Sequence, residues 1–137
     1  VTQLHLPSQF RLSIGGYFGR SYLVEQSADE LIYHRRDESG QELVETVAPT
    51  KEQWRAFWKK AERVKIWKWQ PKYANPGVCD GTNWSVEIEH GCHTVTSSGN
   101  NNYPVTPEEP SFEPEPGKLF KAYLRAVRSL LGGREFS

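Results

Sequence analysis

Over most of this chain apolar and polar residues alternate in short runs, and only two stretches change to a helical period. Phe10, Leu12 and Ile14 alternate with Arg11 and Ser13, a period of two that marks a strand with one buried face. Ser21 to Gln26 reads as a second strand and Glu30 to Arg36 as a third, joined by Ser27-Ala28-Asp29. Asp37-Glu38-Ser39-Gly40 is a turn signal, and Glu42 to Val47 follows as a fourth strand. These strands predict an antiparallel meander with Tyr22, Val24, Leu31 and Tyr33 pointing inward.

The first helical stretch opens at Pro49-Thr50. Thr50 and Gln53 have the spacing of a capping box, and Trp54, Phe57, Trp58, Ala61 and Val64 recur on one face. The second runs from Gly117 to Leu131, with Leu119, Phe120, Tyr123, Leu124, Val127, Leu130 and Leu131 on its apolar side and Gly132-Gly133 as its stop. Both face sets predict core. Between the helices, Ile66 to Trp69 reads as a short strand, Pro71 to Gly77 as a loop, and Val105 to Pro116 as an extended loop rich in Pro and Glu. The chain of 137 residues therefore predicts a single α+β domain, an antiparallel sheet (meander plus C-terminal hairpin) covered by two helices. Its ends, near 1–8 and 133–137, are expected to be loose.

The hairpin is the richest stretch. Trp84, Val86 and Ile88 alternate with Ser85, Glu87 and Glu89, and His90-Gly91 suits a two-residue loop. With that loop Glu89 pairs with Cys92, Val86 with Val95 and Trp84 with Ser97. Trp84, Val86, Ile88 and Val95 then share one face, and Glu87, Glu89, Thr94 and Thr96 the other. Carried outward, Thr82 meets Gly99 and Asp80 meets Asn101. Polar side chains then gather at the open end of the hairpin. A ligand site there would use Asp80, Thr82, Asn83 and Asn101, walled by Trp84 and Tyr103. The competing reading is turn chemistry, in which short polar side chains bond to nearby backbone.

The pattern D-G-T-x-W-x-V-x-I from Asp80, followed by G-x-N-x-Y-P from Gly99, resembles a group of small uncharacterised bacterial proteins. Gly-Gly-Tyr-Phe-Gly at 15–19 and the run from Gln53 to Trp69 are similar to the same group. The matching positions are Asp80, Gly81, Thr82, Trp84, Gly99, Asn101, Tyr103 and Pro104. Asn102 departs from the group, which tends to have a small residue there. The resemblance covers the chain from about Ile14 onward. It implies a shared fold and a bacterial source; the group has no assigned activity, so it supplies no chemistry.

Lys plus Arg equals Asp plus Glu, at 17 each, so the overall charge gives no reason to expect nucleic acid or an anionic membrane as partner. No apolar run approaches the ~20 residues of a membrane span, and no secretory h-region is present. The chain begins at Val1, which leaves a removed leader open. Two cysteines do not make a disulfide framework, and the register sets Cys79 and Cys92 too far apart to bridge. Two free thiols and a cytoplasmic, reducing setting are expected.

Three kinds of chemistry compete with a plain binding role. His90, Cys92 and His93 are zinc-ligand types, but neighbours on a strand point to opposite faces, so no metal site is predicted. Cys79 or Cys92 with a histidine lacks the surroundings of a nucleophile, and Glu87 with Glu89 reads more simply as a solvated strand face. Gly15-Gly16 is not followed by a strand-to-helix transition, so no phosphate-binding loop and no cofactor are predicted. The basic stretch between Lys51 and Lys72 is more suggestive. Lys59, Lys60, Arg63, Lys65 and Lys68 interleave with Trp67 and Trp69, which is how single-strand nucleic-acid binders combine charge and stacking. The sequence thus predicts a non-enzymatic module for an unknown protein, peptide or small polar ligand, with nucleic-acid binding as the alternative.

Overall fold

The computed structural model describes residues 4–16, 19–74, 81–105, 110–111 and 116–137. The meander forms as its alternation predicts. Strands β1 (Gln9–Gly15), β2 (Ser21–Ser27), β3 (Glu30–Arg36) and β4 (Glu42–Val47) pair antiparallel in succession. Helix α1 (Lys51–Arg63) follows, then a 3-10 turn at Ile66–Lys68 and the short β5 (Lys72–Ala74). The hairpin of β6 (Asn83–His90) and β7 (His93–Asn100) comes next. It lies beside β1, so that the sheet runs β4-β3-β2-β1-β6-β7-β5. A two-stranded ribbon of β8 (Tyr103–Pro104) and β9 (Pro110–Ser111) precedes helix α2 (Lys118–Leu130).

Both helices lie on one side of this sheet. Phe10 of β1 meets Trp54 of α1 edge to face at 5.2 Å, and Trp84 of β6 meets Phe120 of α2 at 5.0 Å. Phe10, Leu12, Ile14, Tyr22, Val24, Leu31, Tyr33, Val86 and Ile88 complete this layer and are all buried. Large aromatics bury much area each and add directional ring contacts of about 0.5–1.5 kcal/mol per pair. The capping box of α1 is present: the Gln53 N–H donates to Thr50 Oγ1 at 3.1 Å and the Thr50 N–H to Gln53 Oε1 at 2.8 Å. Helix α2 ends where the two glycines stand, with φ of 69° and 94°, and the Gly133 N–H returns to the Arg128 carbonyl at 2.8 Å.

Two predicted elements differ. Ile66 to Trp69 is a 3-10 turn, entered through Lys65 in the left-handed region (φ 54°). Over four residues alternation and a period of three are hard to tell apart, and here the buried pair is Ile66 and Trp69, three apart. Within the expected loop, β5 pairs in parallel with β7 through Lys72–Ala74.

The described ends are tied down, against expectation. At the N-terminal side, the Ser8 N–H donates to the Glu89 carbonyl at 2.8 Å and Trp58 Nε1 to the His5 carbonyl at 2.7 Å. At the C-terminal side Phe136 is fully buried against Tyr22, at 6.1 Å between rings. Arg20 and Tyr22 both bond the Glu135 carboxylate, at 2.8 and 3.0 Å, and Tyr33 donates to the Glu135 carbonyl at 2.7 Å. The buried Phe136 ring and these hydrogen bonds together offset the entropy of ordering such a tail. The Val105–Pro116 loop lies largely outside the described residues. Among the described residues no helix is long and apolar enough to cross a membrane.

Candidate functional site

The hairpin turns at Gly91-Cys92, one residue beyond the predicted loop. Gly91 has φ 62° and stands first of the two turn residues, the position at which a type II′ turn requires glycine. The pairing therefore becomes His90 with His93, Ile88 with Val95, Val86 with Ser97 and Trp84 with Gly99. This shift of two residues keeps every side chain on its predicted face. It also sets the largest side chain of β6 opposite the smallest residue of β7. A Cβ at Gly99 would run into the Trp84 indole and the Asn102 carbonyl.

The open end of the hairpin holds the predicted site residues, but in two different roles. Asn101 takes a left-handed conformation (φ 46°), and its backbone N–H donates to the Thr82 carbonyl at 2.9 Å. Its Oδ1 accepts the Thr82 backbone N–H at 2.9 Å. Trp84 Nε1 donates to the Asn102 carbonyl at 2.9 Å, and Asn102 Nδ2 to the Ala74 carbonyl at 2.9 Å. Trp84, Asn101 and Tyr103 are all buried. Burial pushes the Tyr103 hydroxyl pKa up, and a hydrogen bond with Thr82 works against that. This geometry is a latch that closes β6 and β7 onto the chain beyond them. Among the described site residues only Asn83 is exposed, where it accepts from Asn100 Nδ2 at 2.6 Å, while Thr82 is half-buried. Asp80 lies outside the described residues.

Asn83 leads to a surface outside the sites that the sequence predicts. With both helices on one side, no helix or strand among the described residues covers the other face of the sheet. Its side chains form cross-strand rows. One row runs Asn100, Asn83, Gly15, Ser21, Arg36, Glu42; the next runs Ser98, Ser85, Ser13, Leu23, His34, Val44. A third runs Thr96, Glu87, Arg11, Glu25, Ile32, Thr46. Glycine and serine occupy the middle of the first two rows, so the face sinks there. The hollow has a volume of about 540 Å³ and is rimmed by Arg11, His34, Arg36, Glu42 and Asn83. Ser13 and Ser85 share a hydrogen bond of 2.5 Å on this face. A second hollow of about 530 Å³ lies along Ser8, Gln9, Glu25 and Gln26 and also borders Arg11.

Charge in the trough is partly committed. Arg11 pairs with Glu25 at 3.1 Å, and His34 Nε2 stands 3.6 Å from the other oxygen of that carboxylate. Arg36, at the rim, makes no ion pair among the described residues, so its guanidinium remains available. The trough is thus lined by the Arg36 guanidinium, short hydroxyls, the Asn83 amide and the half-buried Leu23. The signal for it was present in the polar alternates of β1, β2, β3 and β6, which mark a sheet face that no apolar helix stripe packs against.

The basic stretch keeps its charge but loses its stacking surfaces. Lys59, Arg63, Lys65 and Lys68 are exposed and Lys60 is half-buried. Trp69, by contrast, is buried and donates from Nε1 to the Val64 carbonyl at 3.0 Å. Trp67 stacks on Trp58 at 6.1 Å and on His93 at 5.1 Å. His90 completes this column, lying parallel to Trp58 at 4.0 Å. Both turn histidines are therefore engaged with indole rings, and Cys92 between them is an exposed free thiol. Among the described residues no group of three or more His, Cys, Asp or Glu is arranged to hold a metal ion. Cys79 lies outside the described residues.

Comparison with protein-family models, with curated proteins and with solved structures finds no match for the chain. The functional reading therefore rests on this geometry.

Proposed function

We propose that this chain is a non-enzymatic binding module that meets its partner across the uncovered face of the sheet. One observation carries the proposal. A face six strands wide is left uncovered by the described residues and is hollowed over Ser13, Ser21 and Gly15, while its rim carries Arg36, which makes no ion pair among them. Specific interfaces are about as polar as other protein surface and rely on well-placed hydrogen-bonding groups around a few anchors. The trough offers that mixture to a protein or peptide. A small polar ligand is the narrower version of the same reading. The free, exposed Cys92 motivates a cytoplasmic setting.

The test is affinity capture from the native cell with the wild type, Ser13→Trp and Arg36→Glu. Ser13 points out of the sheet, so a tryptophan there fills the hollow without entering the core. The proposal expects a partner held by the wild type to be lost from both variants while the melting temperature stays within a few degrees. Retention of the same partner by both variants contradicts it.

The alternative is nucleic-acid binding through Lys59, Lys60, Arg63, Lys65 and Lys68. What favours it is that none of these cations makes an ion pair among the described residues. A steep loss of oligonucleotide affinity with salt would support it. No binding to single- or double-stranded oligonucleotides at low salt removes it.

A further inference from the structure

Among the described residues the cations of the helical layer pair with no carboxylate; Arg128 alone is tied to the fold, donating to the Phe136 carbonyl at 3.0 Å. Helix α1 holds Lys51, Arg55, Lys59, Lys60 and Arg63 against Glu52 and Glu62. Helix α2 holds Lys118, Lys121, Arg125 and Arg128 and no carboxylate. The whole chain is neutral, so this positive layer is a segregation of charge within it. Among the described residues every ion pair lies on the strands, their turns or the C-terminal tail. Glu62 is engaged from the side, accepting the Trp67 indole N–H at 3.0 Å.

Where the helices meet, the layer has a cleft of about 260 Å³, lined by Lys60, Arg63, Val64, Ala122 and Arg125. Val64 is buried and Ala122 half-buried, so the floor is apolar and the walls are cationic. We propose that this cleft binds an acidic segment of a partner polypeptide. Carboxylates meet Arg63, Arg125 and Lys60, and a small apolar side chain rests on Val64 and Ala122. Guanidinium groups take carboxylates through paired, charge-assisted hydrogen bonds. A phosphodiester backbone offers nothing for the apolar floor. A single strand also needs ring faces beside the charge, and Trp67 and Trp69 are both occupied. This surface is on the opposite side of the sheet from the trough and stands independently of it.

The experiment is fluorescence anisotropy with a fluorescein-labelled peptide of alternating glutamate and leucine, beside a labelled oligothymidylate of equal charge. The protein is the full chain, as wild type, Arg63→Glu and Arg125→Glu. The expected result is peptide binding that weakens with salt, falls by about tenfold or more on either reversal, and exceeds binding of the oligothymidylate. Absence of peptide binding at low salt, equal binding by the variants, or tighter oligothymidylate binding overturns the proposal. Thermal melting checks the fold of each variant. If a reversal lowers it, Lys60→Gln with Arg125→Gln carries the same test.

Discussion

Asn101 and Thr82 hold one another twice: the Asn101 N–H donates to the Thr82 carbonyl and Asn101 Oδ1 accepts the Thr82 N–H, both at 2.9 Å. Asn101 reaches this geometry only in the left-handed region, which asparagine tolerates better than most residues. Asn101→Ala loses the side-chain acceptor and strains the backbone together. The expected cost is about 2–3 kcal/mol, because the part-buried Thr82 N–H loses its acceptor and alanine is strained at this positive φ. Asn101→Gly keeps the conformation and should cost less. Urea unfolding followed by circular dichroism measures both, and an unchanged midpoint in Asn101→Ala contradicts a structural role for this residue.

Tyr123 presents the reverse case. Its hydroxyl is buried on α2 with no hydrogen-bond partner among the described residues, and that burial pushes its pKa far up. A buried unpaired polar group costs about 1–3 kcal/mol. Tyr123→Phe should therefore raise stability by about 1 kcal/mol, read as a higher urea midpoint with an unchanged slope. A loss of stability would mean that the hydroxyl has a partner.

The C-terminal strap should respond to acid. Hydrogen bonds from Tyr22 and then Arg20 hold the Glu135 carboxyl below its ordinary value of 4.5. A carboxylate with a depressed folded-state pKa binds fewer protons folded than unfolded. Its contribution is thus fully present above 4.5 and is lost as pH falls through the lower folded value. Melting curves of wild type and Glu135→Gln should differ by a constant amount at neutral pH and converge in acid. A gap that persists or widens at low pH contradicts this assignment.

Much of the fold was legible because it is written in local periodicity. The β1–β4 alternation, the Thr50–Gln53 cap and both helical faces depend on residues close in sequence. The hairpin shows where that legibility ends. Shifting its pairing by two residues leaves Trp84, Val86, Ile88 and Val95 on the same face, so hydrophobic pattern cannot separate the two registers. The left-handed Gly91 and the fit of Trp84 over Gly99 decide it, and both are three-dimensional facts. β5 was illegible because three residues carry no period and its parallel partner lies distant in the chain.

The candidate site was less legible still. Arg11, Ser13, His34, Arg36 and Asn83 belong to three strands, and only the order β3-β2-β1-β6 brings them together. Polarity at the hairpin end drew attention to Asn101 and Tyr103, which the structure buries. Trp67 and Trp69 looked like exposed stackers for a similar reason. Aromatic residues between lysines suggest a surface, yet these rings pack on Trp58, His93 and Phe120.

The most direct test of the sheet-face reading is photo-crosslinking in the native cell. A photoreactive amino acid is placed at Ser13 in the trough and, separately, at Glu52 on the exposed first turn of α1. The account predicts a higher-mass adduct from position 13 that disappears when Arg36→Glu is added. Adducts from position 52 alone, or an adduct at position 13 that is indifferent to Arg36→Glu, would contradict it.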